Sequence, residues 1–180
     1  IAFPLSWMLD KALGSELATI WSKKEIEEII KHHEDAAESE IDADEERIML
    51  GALAYSDKTA KLIMTPKSVV FMLRSDQPVT LEVILKIKES GFTRIPIFDK
   101  QSKDNVIWVL FVKDLLGIDL TQNHVINDFL REDLLLVKED IRLDNLLNHF
   151  IKVKKHLAAV FNEFGVFQGV VSLEDIIEEI

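Results

Sequence analysis

The sequence predicts an α+β fold in which a helical bundle is followed by two copies of a β-α-β-β-α unit. Apolar residues recur at helical spacing in the first third of the chain. The remainder repeats a strand–strand–helix phrase whose closing acidic residues, Asp114 and Asp175, lie 61 residues apart. A period of about 60 residues exceeds that of most solenoid units, so two small domains facing each other are expected.

Composition limits the classes of protein and partner. A length of 180 residues allows one or two domains, and 48% hydrophobic residues suffice for a core. The absence of cysteine excludes disulfides, thiolate catalysis and zinc sites built on sulfur. A net charge of −11 argues against nucleic acid, because binding a polyanion requires clustered positive charge. A cation, or a basic surface on a partner, is a better match.

Residues 1–14 are predicted to form a helix that stops near Gly14. The apolar, tryptophan-containing start fits either a buried element or an interfacial, membrane-proximal helix. No segment approaches the roughly 20 apolar residues that span a bilayer. The chain starts without methionine and stops inside a helical pattern at Ile180, so we expect it to be part of a longer protein.

Residues 15–64 are predicted to form the helical bundle. Ser22 and Glu25 have the spacing of a capping box. A second helix is expected to begin at Asp42 or Asp44, and a third, short helix at Ser56 or Asp57. On the first helix, Ile26, Ile29 and Ile30 recur at helical spacing and define one apolar stripe. On the second helix, Ile48, Leu50 and Leu53 are expected to face inward.

An acidic stretch without any basic residue joins the first two of these helices. The simpler interpretation is a solvated turn. The alternative is a weak, hydrated Mg²⁺ surface, because Mg²⁺ keeps several waters and takes only one or two carboxylates. The stretch lacks the central glycine of a calcium-binding helix–loop–helix. Its acids are Glu34, Asp35, Glu38, Glu40, Asp42, Asp44, Glu45 and Glu46.

The two repeats are predicted to span residues 65–122 and 123–180. In the first, alternating apolar runs and a glycine stop predict elements at 69–73, 80–89, 94–98, 106–112 and a helix from 113, with a turn at 99–105. In the second, the same order is predicted at 134–137, 143–150, 157–161, 169–171 and 173–180, with a turn at 162–167.

The clearest chemical phrase is Gly169-x-x-Ser172-x-x-Asp175, where a strand runs into a helix. Free N–H groups at such a junction suit an anion. The aspartate can accept two hydrogen bonds from a ribose diol, with the serine hydroxyl near the first phosphate. The simpler interpretation is a helix cap, with Ser172 as the N-cap and Asp175 at the third position. The two repeats resemble a pair of CBS domains, modules that commonly bind adenine nucleotides, and this resemblance favours the nucleotide interpretation.

The first repeat keeps Asp114 but departs from this phrase at two positions. Trp108 stands where the second copy has glycine, and Phe111 stands where it has serine. Both changes remove close approach or a hydroxyl group, so we expect a nucleotide site at Asp114 to be weak or empty.

Thr93, Arg94 and Pro96 offer a hydroxyl, a guanidinium and a rigid strand start. Arginine suits multidentate contact with phosphate, although a surface arginine beside a strand-edge proline is the simpler interpretation. The five histidines lack metal-ligand spacing, and no serine–histidine–acid or paired-carboxylate arrangement is present. The sequence therefore predicts no enzyme active site.

Five phrases together resemble the cyclin M/CorC family, whose members are membrane proteins implicated in Mg²⁺ (and Co²⁺) transport. The resemblance covers essentially the whole chain, and the repeats look like a pair of CBS domains. The phrases are Ile63-Met-Thr-Pro66, Gly91-Phe-Thr-Arg-Ile-Pro-Ile97, Leu110-Phe-Val-Lys-Asp-Leu-Leu116, Lys155-His-Leu-Ala158 and Val171-Ser-Leu-Glu-Asp-Ile-Ile-Glu-Glu179.

The resemblance implies a juxtamembrane helix (1–14), an acidic bundle (15–64) and a CBS pair that binds ATP, usually with Mg²⁺, and forms a homodimer through its helices. It implies a location on the cytosolic side of the plasma (inner) membrane, behind an N-terminal transmembrane domain absent from this sequence. Within the cleft it implies Asp175 on the ribose, Ser172 on a phosphate, Thr93, Arg94 and Pro96 facing the same cleft, and Thr65 and Pro66 beside the base.

Two other functions fit the same residues. One is an adenosine-nucleotide-sensing CBS module of a different transporter or of an enzyme. The other is a purely structural dimerisation module whose clefts are empty.

Overall fold

The computed structural model describes residues 21–34 and 41–180. Of these, the residues up to Leu53 belong to one compact unit and Ala54–Ile180 form a second. The predicted juxtamembrane helix, residues 1–14, lies outside the described residues.

The described part of the first unit consists of helices α1 (Lys23–Glu34) and α2 (Ala43–Ala54). The predicted capping box at the start of α1 is confirmed. The Glu25 carboxylate accepts from the Ser22 backbone N–H at 2.7 Å, and the Ser22 hydroxyl accepts from the Glu25 N–H at 3.3 Å. The Ser22 backbone N–H and the Ser22 hydroxyl both donate to the Glu25 carboxylate, and these two hydrogen bonds lower the pKa of Glu25.

The predicted start of α2 is confirmed, but the predicted orientation of its apolar residues is wrong in part. Asp42 caps the helix by accepting from the Glu45 N–H at 2.8 Å. The Ile48 side chain is 51% exposed, and α2 contains no fully buried residue. Residues two apart on a helix point about 200° away from each other, so Ile48 and Leu50 cannot share one inward face.

The second unit contains two four-stranded sheets, and each takes an edge strand from the other repeat. The first sheet has the order β2 (Leu73–Arg74), β3 (Arg94–Asp99), β4 (Ser102–Phe111), β5 (Leu130–Arg131). The second has the order β1 (Thr65–Pro66), β8 (Phe167–Ser172), β7 (Leu157–Phe161), β6 (Leu135–Lys138). Strand β1 therefore completes the sheet of the second repeat, and β5 completes that of the first.

Helices cover the outer faces of both sheets, and the inner faces pack together. The helices are α3 (Ala60–Ile63), α4 (Leu81–Ser90), α5 (Leu143–Val153) and α6 (Leu173–Glu178), with 3-10 turns at Tyr55–Asp57, Val112–Leu115 and Ile126–Phe129. One core lies between the sheets and is built from both repeats, including Val106, Val109, Phe167 and Val170. This shared core holds the two repeats face to face, as the tandem repeat predicts.

Several predicted elements differ from those observed. The strand predicted at 69–73 is reduced to Leu73–Arg74, because the chain turns after Pro66, where the Val69 N–H donates to the Pro66 carbonyl at 2.9 Å. The helix predicted from Lys113 is a single 3-10 turn that stops before Gly117, which has φ +80°. The turn predicted at 99–105 is a tighter hairpin, since β4 already begins at Ser102.

Candidate nucleotide-binding cleft

A cleft of about 310 Å³ opens where the two repeats meet, within the size range of small-molecule sites. Its walls come from both repeats. Six of the seven residues predicted for the main site line it: Thr65, Thr93, Arg94, Pro96, Ser172 and Asp175. The seventh, Pro66, follows Thr65 in β1 and pairs with Gly169.

Ser172 and Asp175 form a complete capping box at the start of α6. The Asp175 Oδ2 atom accepts from the Ser172 N–H at 2.7 Å, and the Ser172 hydroxyl accepts from the Asp175 N–H at 3.1 Å. The simpler interpretation of this phrase is therefore realised. It uses only one carboxylate oxygen, and among the described residues Asp175 Oδ1 has no hydrogen bond. Asp175 can cap α6 and still accept from a ligand.

Gly169 lets β1 lie close against β8. A Cβ atom added to this glycine would lie 2.2 Å from the Thr65 carbonyl oxygen and 3.2 Å from the Pro66 Cα. No other residue type fits without moving the backbone. The glycine of the phrase therefore acts through β1, because the close pairing places Thr65 at the wall of the cleft.

Arg94 enters the cleft from the first residue of β3. Its Nε atom is buried and has no hydrogen-bond partner among the described residues. An unpaired buried donor costs free energy, so this nitrogen indicates a cationic side chain whose bonding is incomplete without a ligand. The guanidinium lies 5.3 Å from the centre of the Phe111 ring.

The cleft also has an apolar wall, which the sequence does not predict. Val69, Val70 and Phe71 line the cleft with Phe92, and the Phe71 and Phe92 rings are stacked with centroids 6.5 Å apart. The run 69–73 was interpreted as a strand, so its role in the cleft was missed. Such a wall suits one face of a planar heterocycle. His156 also lines the cleft and was not predicted.

In the equivalent position of the first repeat, Asp114 is already occupied. The Arg131 guanidinium donates to both of its carboxylate oxygens, at 2.7 and 2.8 Å, and this pairing raises the pKa of Arg131. Arg131 pairs with Val109 in β4, just as Thr65 pairs with Val170 in β8. An internal cation therefore replaces Thr65 in this copy.

The predicted acidic Mg²⁺ surface is described only in part. Asp35, Glu38 and Glu40 lie outside the described residues. Asp42 and Glu45 exchange hydrogen bonds at the start of α2. Within residues 21–34 and 41–180, no group of three or more histidines and acids is placed to hold a metal ion. The surface remains a prediction.

Comparison with known proteins agrees with the fold and the repeat. The family model described as the CBS domain matches residues 126–180. The chain is 34% identical to metal transporter cnnm-1 of Caenorhabditis elegans, over 100% of this chain and 23% of that protein. It is 28% identical to the CBS domain of a bacterial CNNM/CorC family Mg²⁺ transporter, with a TM-score of 0.76 over 89% of this chain and 96% of that one. The chain belongs to the CNNM/CorC family.

One similar structure was solved with a nucleotide. The CBS domain of the bacterial CNNM/CorC family Mg²⁺ transporter in complex with ATP is 29% identical, with a TM-score of 0.68 over 76% of this chain and 96% of that one. The chain spans about a quarter of the length of these curated relatives, metal transporter cnnm-1 and protein MAM3 of Saccharomyces cerevisiae. In the part that the structure describes, no helix has the length and apolarity to cross a membrane.

Proposed function

We propose that this chain is the regulatory region of a Mg²⁺ transporter of the CNNM/CorC family, and that it binds ATP in the cleft between its repeats. The observation that carries the proposal is the convergence of Arg94 and Thr93 from one repeat with Ser172 and Asp175 from the other on one cleft. The related ATP complex supports the choice of ligand.

The chemistry of the cleft fits the parts of an adenosine nucleotide. The apolar wall with Phe71 and Phe92 receives the base, next to Thr65 and Pro66. Asp175 Oδ1 accepts from the ribose diol. The Ser172 hydroxyl, Thr93 and the Arg94 guanidinium face the phosphates, for which arginine offers several donors in one plane.

The proposed organisation follows the predicted segments. Residues 1–14 form a juxtamembrane helix, 15–64 an acidic bundle that offers a weak second Mg²⁺ surface, and 65–122 and 123–180 the CBS pair. The chain lies on the cytosolic side of the membrane, and an N-terminal transmembrane domain carries the ion, either Mg²⁺ or Co²⁺. ATP acts by stabilising one arrangement of the dimer, which requires different affinities for the two arrangements.

ATP is expected to bind more tightly with Mg²⁺ than with EDTA. A triphosphate that approaches a protein of net charge −11 meets a repulsive field, which Arg94 offsets only in part. Mg²⁺ neutralises phosphate charge before binding, whereas AMP carries less charge and should depend little on Mg²⁺. Isothermal titration calorimetry with ATP and AMP, each with Mg²⁺ and with EDTA, measures this and the expected ratio of one nucleotide per chain.

Each result of these titrations has a definite meaning. If neither ATP nor AMP binds, the proposal is contradicted and the structural-module alternative is favoured. Equal affinity for ATP in Mg²⁺ and EDTA, with tighter binding of AMP, favours the adenosine-sensing alternative.

The chain is expected to be a homodimer joined through the helices of the CBS pair. Leu81 on α4 and Ile151 on α5 are 62% and 64% exposed, and apolar side chains on neighbouring turns extend both surfaces. Burying these apolar side chains against a second copy of the chain removes their surface from water, which favours a dimer. Sedimentation velocity at tens of micromolar measures the mass, and a monomer with and without nucleotide contradicts the prediction.

A further inference from the structure

Among the described residues, three cationic side chains lie close to the Phe111 ring. The charged groups of Arg131, Arg94 and Lys113 lie 5.0, 5.3 and 5.4 Å from its centre. These distances are within the range at which the electron-rich face of an aromatic ring attracts a cation. In a protein of net charge −11, this cluster is a local concentration of positive charge.

The ring and Arg94 are placed side by side by the sheet. Arg94 and Phe111 are directly paired residues of β3 and β4, and side chains of a cross-strand pair lie on the same face. The Arg94 Nε atom is buried without a hydrogen-bond partner among the described residues. No described hydrogen bond or ion pair holds its guanidinium, so the ring is the contact that orients it.

The ring itself is held by a pair of charged residues at the equivalent position of the first repeat. Arg131 lies against it and is fixed by two hydrogen bonds to Asp114, whose side chain is only 19% exposed. A bidentate pair of this kind restricts the guanidinium to one plane. Asp114, Arg131, Phe111 and Arg94 therefore form a continuous row of contacts that ends in the nucleotide cleft.

We propose that Phe111 is a positioning residue for Arg94, and that the Asp114–Arg131 pair holds Phe111 in that role. The Asp114–Arg131 pair then serves as a rigid support for the phosphate-binding end of the nucleotide cleft. This inference rests on the proposed function, because it assigns Arg94 to the phosphates of a bound nucleotide. The inference assigns a role to Phe111 and Arg131, the two residues that stand where the other repeat has Ser172 and Thr65.

The test compares Phe111→Leu with Phe111→Tyr in the 180-residue chain, using ATP and adenosine as ligands. Leucine keeps apolar bulk but removes the ring, so ATP affinity is expected to fall about two- to fivefold. Adenosine has no phosphate, and its affinity should be unchanged. Tyrosine retains the ring face and should retain the affinity of the wild type for ATP.

A second readout needs no ligand. In nucleotide-free protein, the Arg94 Nε–H resonance in a ¹H–¹⁵N NMR spectrum should be displaced by the Phe111 ring current and exchange slowly with water. In Phe111→Leu it should move to the position of an ordinary arginine and exchange faster.

The outcomes separate this inference from the function on which it rests. If ATP and adenosine weaken in parallel, Phe111 supports the fold alone and the inference is wrong. It is also wrong if neither affinity changes, or if the wild type binds ATP no more tightly than adenosine, although nucleotide binding then stands. A wild type that binds neither ligand overturns the proposed function and the inference together.

Discussion

A Gly169→Ala variant is expected to lose about 1–3 kcal/mol of unfolding free energy, the usual cost of forcing an extra group into a packed site. All three atoms nearest to the new Cβ belong to the backbone of Thr65 or Pro66, at 2.2 to 3.2 Å. A backbone cannot rotate away as a side chain can. Strand β1 must therefore move off β8, and the cleft wall at Thr65 moves with it. Urea denaturation followed by circular dichroism measures the loss.

The matched control is Gly165→Asn, in the hairpin between β7 and β8. Gly165 has φ +75° and no atom within 4 Å of an added Cβ, and asparagine tolerates this backbone conformation better than most residues. Little change is expected there. If Gly169→Ala is as stable as the wild type, β1 does not depend on its close contact with β8.

The first repeat shows why one copy needs this glycine and the other does not. Trp108 is the counterpart of Gly169, but the pairing of β5 with β4 covers only Val109 and Leu110. The edge strand therefore does not lie opposite position 108, and a large side chain is accommodated there. From the sequence alone Trp108 indicates a damaged site, whereas the structure relates it to the register of the edge strand, which pairs one position further along β4 than β1 does along β8.

The sequence predictions for the site rest on signals that need no knowledge of the fold. A strand that runs into a helix, the capping spacing of Ser172 and Asp175, and a 61-residue repeat are all visible in a linear chain. The repeat also implies two units face to face, and this brings Arg94 to the same cleft as Asp175. The predicted residues therefore meet although they are about 80 positions apart.

What the sequence did not predict depends on contacts between distant segments. The exchange of β1 and β5 between sheets has no local pattern, because each strand has only two residues. Arg131 was missed for the same reason: its partner Asp114 lies 17 positions earlier, in a different element. The apolar run 69–73 was assigned to a strand because hydrophobicity alone cannot distinguish a sheet position from the wall of a cleft.

An Asp175→Asn variant is expected to bind ATP at least about tenfold more weakly than the wild type, because a hydrogen bond to a charged group contributes roughly 1.5–3 kcal/mol. Asparagine keeps one oxygen to accept from the Ser172 N–H, so the start of α6 is preserved. It replaces the second oxygen with an NH₂ group, which cannot accept from the ribose diol. Asp175→Ala should lose the same affinity and, in addition, about 1 kcal/mol of stability from the cap.

The ligand supplies an independent control, since 2′,3′-dideoxy-ATP lacks both ribose hydroxyls. It should bind the wild type and Asp175→Asn with similar, weak affinity, because the interaction is absent in each case. A tenfold difference between the two proteins for this ligand would mean that Asp175 acts elsewhere on the nucleotide, and the ribose assignment would be wrong.

Asp114→Asn is the matched protein control, and it should reduce ATP affinity much less. Both oxygens of Asp114 are already bound to Arg131, so a nucleotide would have to displace a charge-assisted pair to reach them. Any loss there is transmitted through Phe111 and cannot exceed the two- to fivefold effect of removing that ring. Calorimetric titrations that give equal losses for Asp114→Asn and Asp175→Asn would mean that the nucleotide uses the other cleft or both, because only direct contact explains equal dependence on the two aspartates.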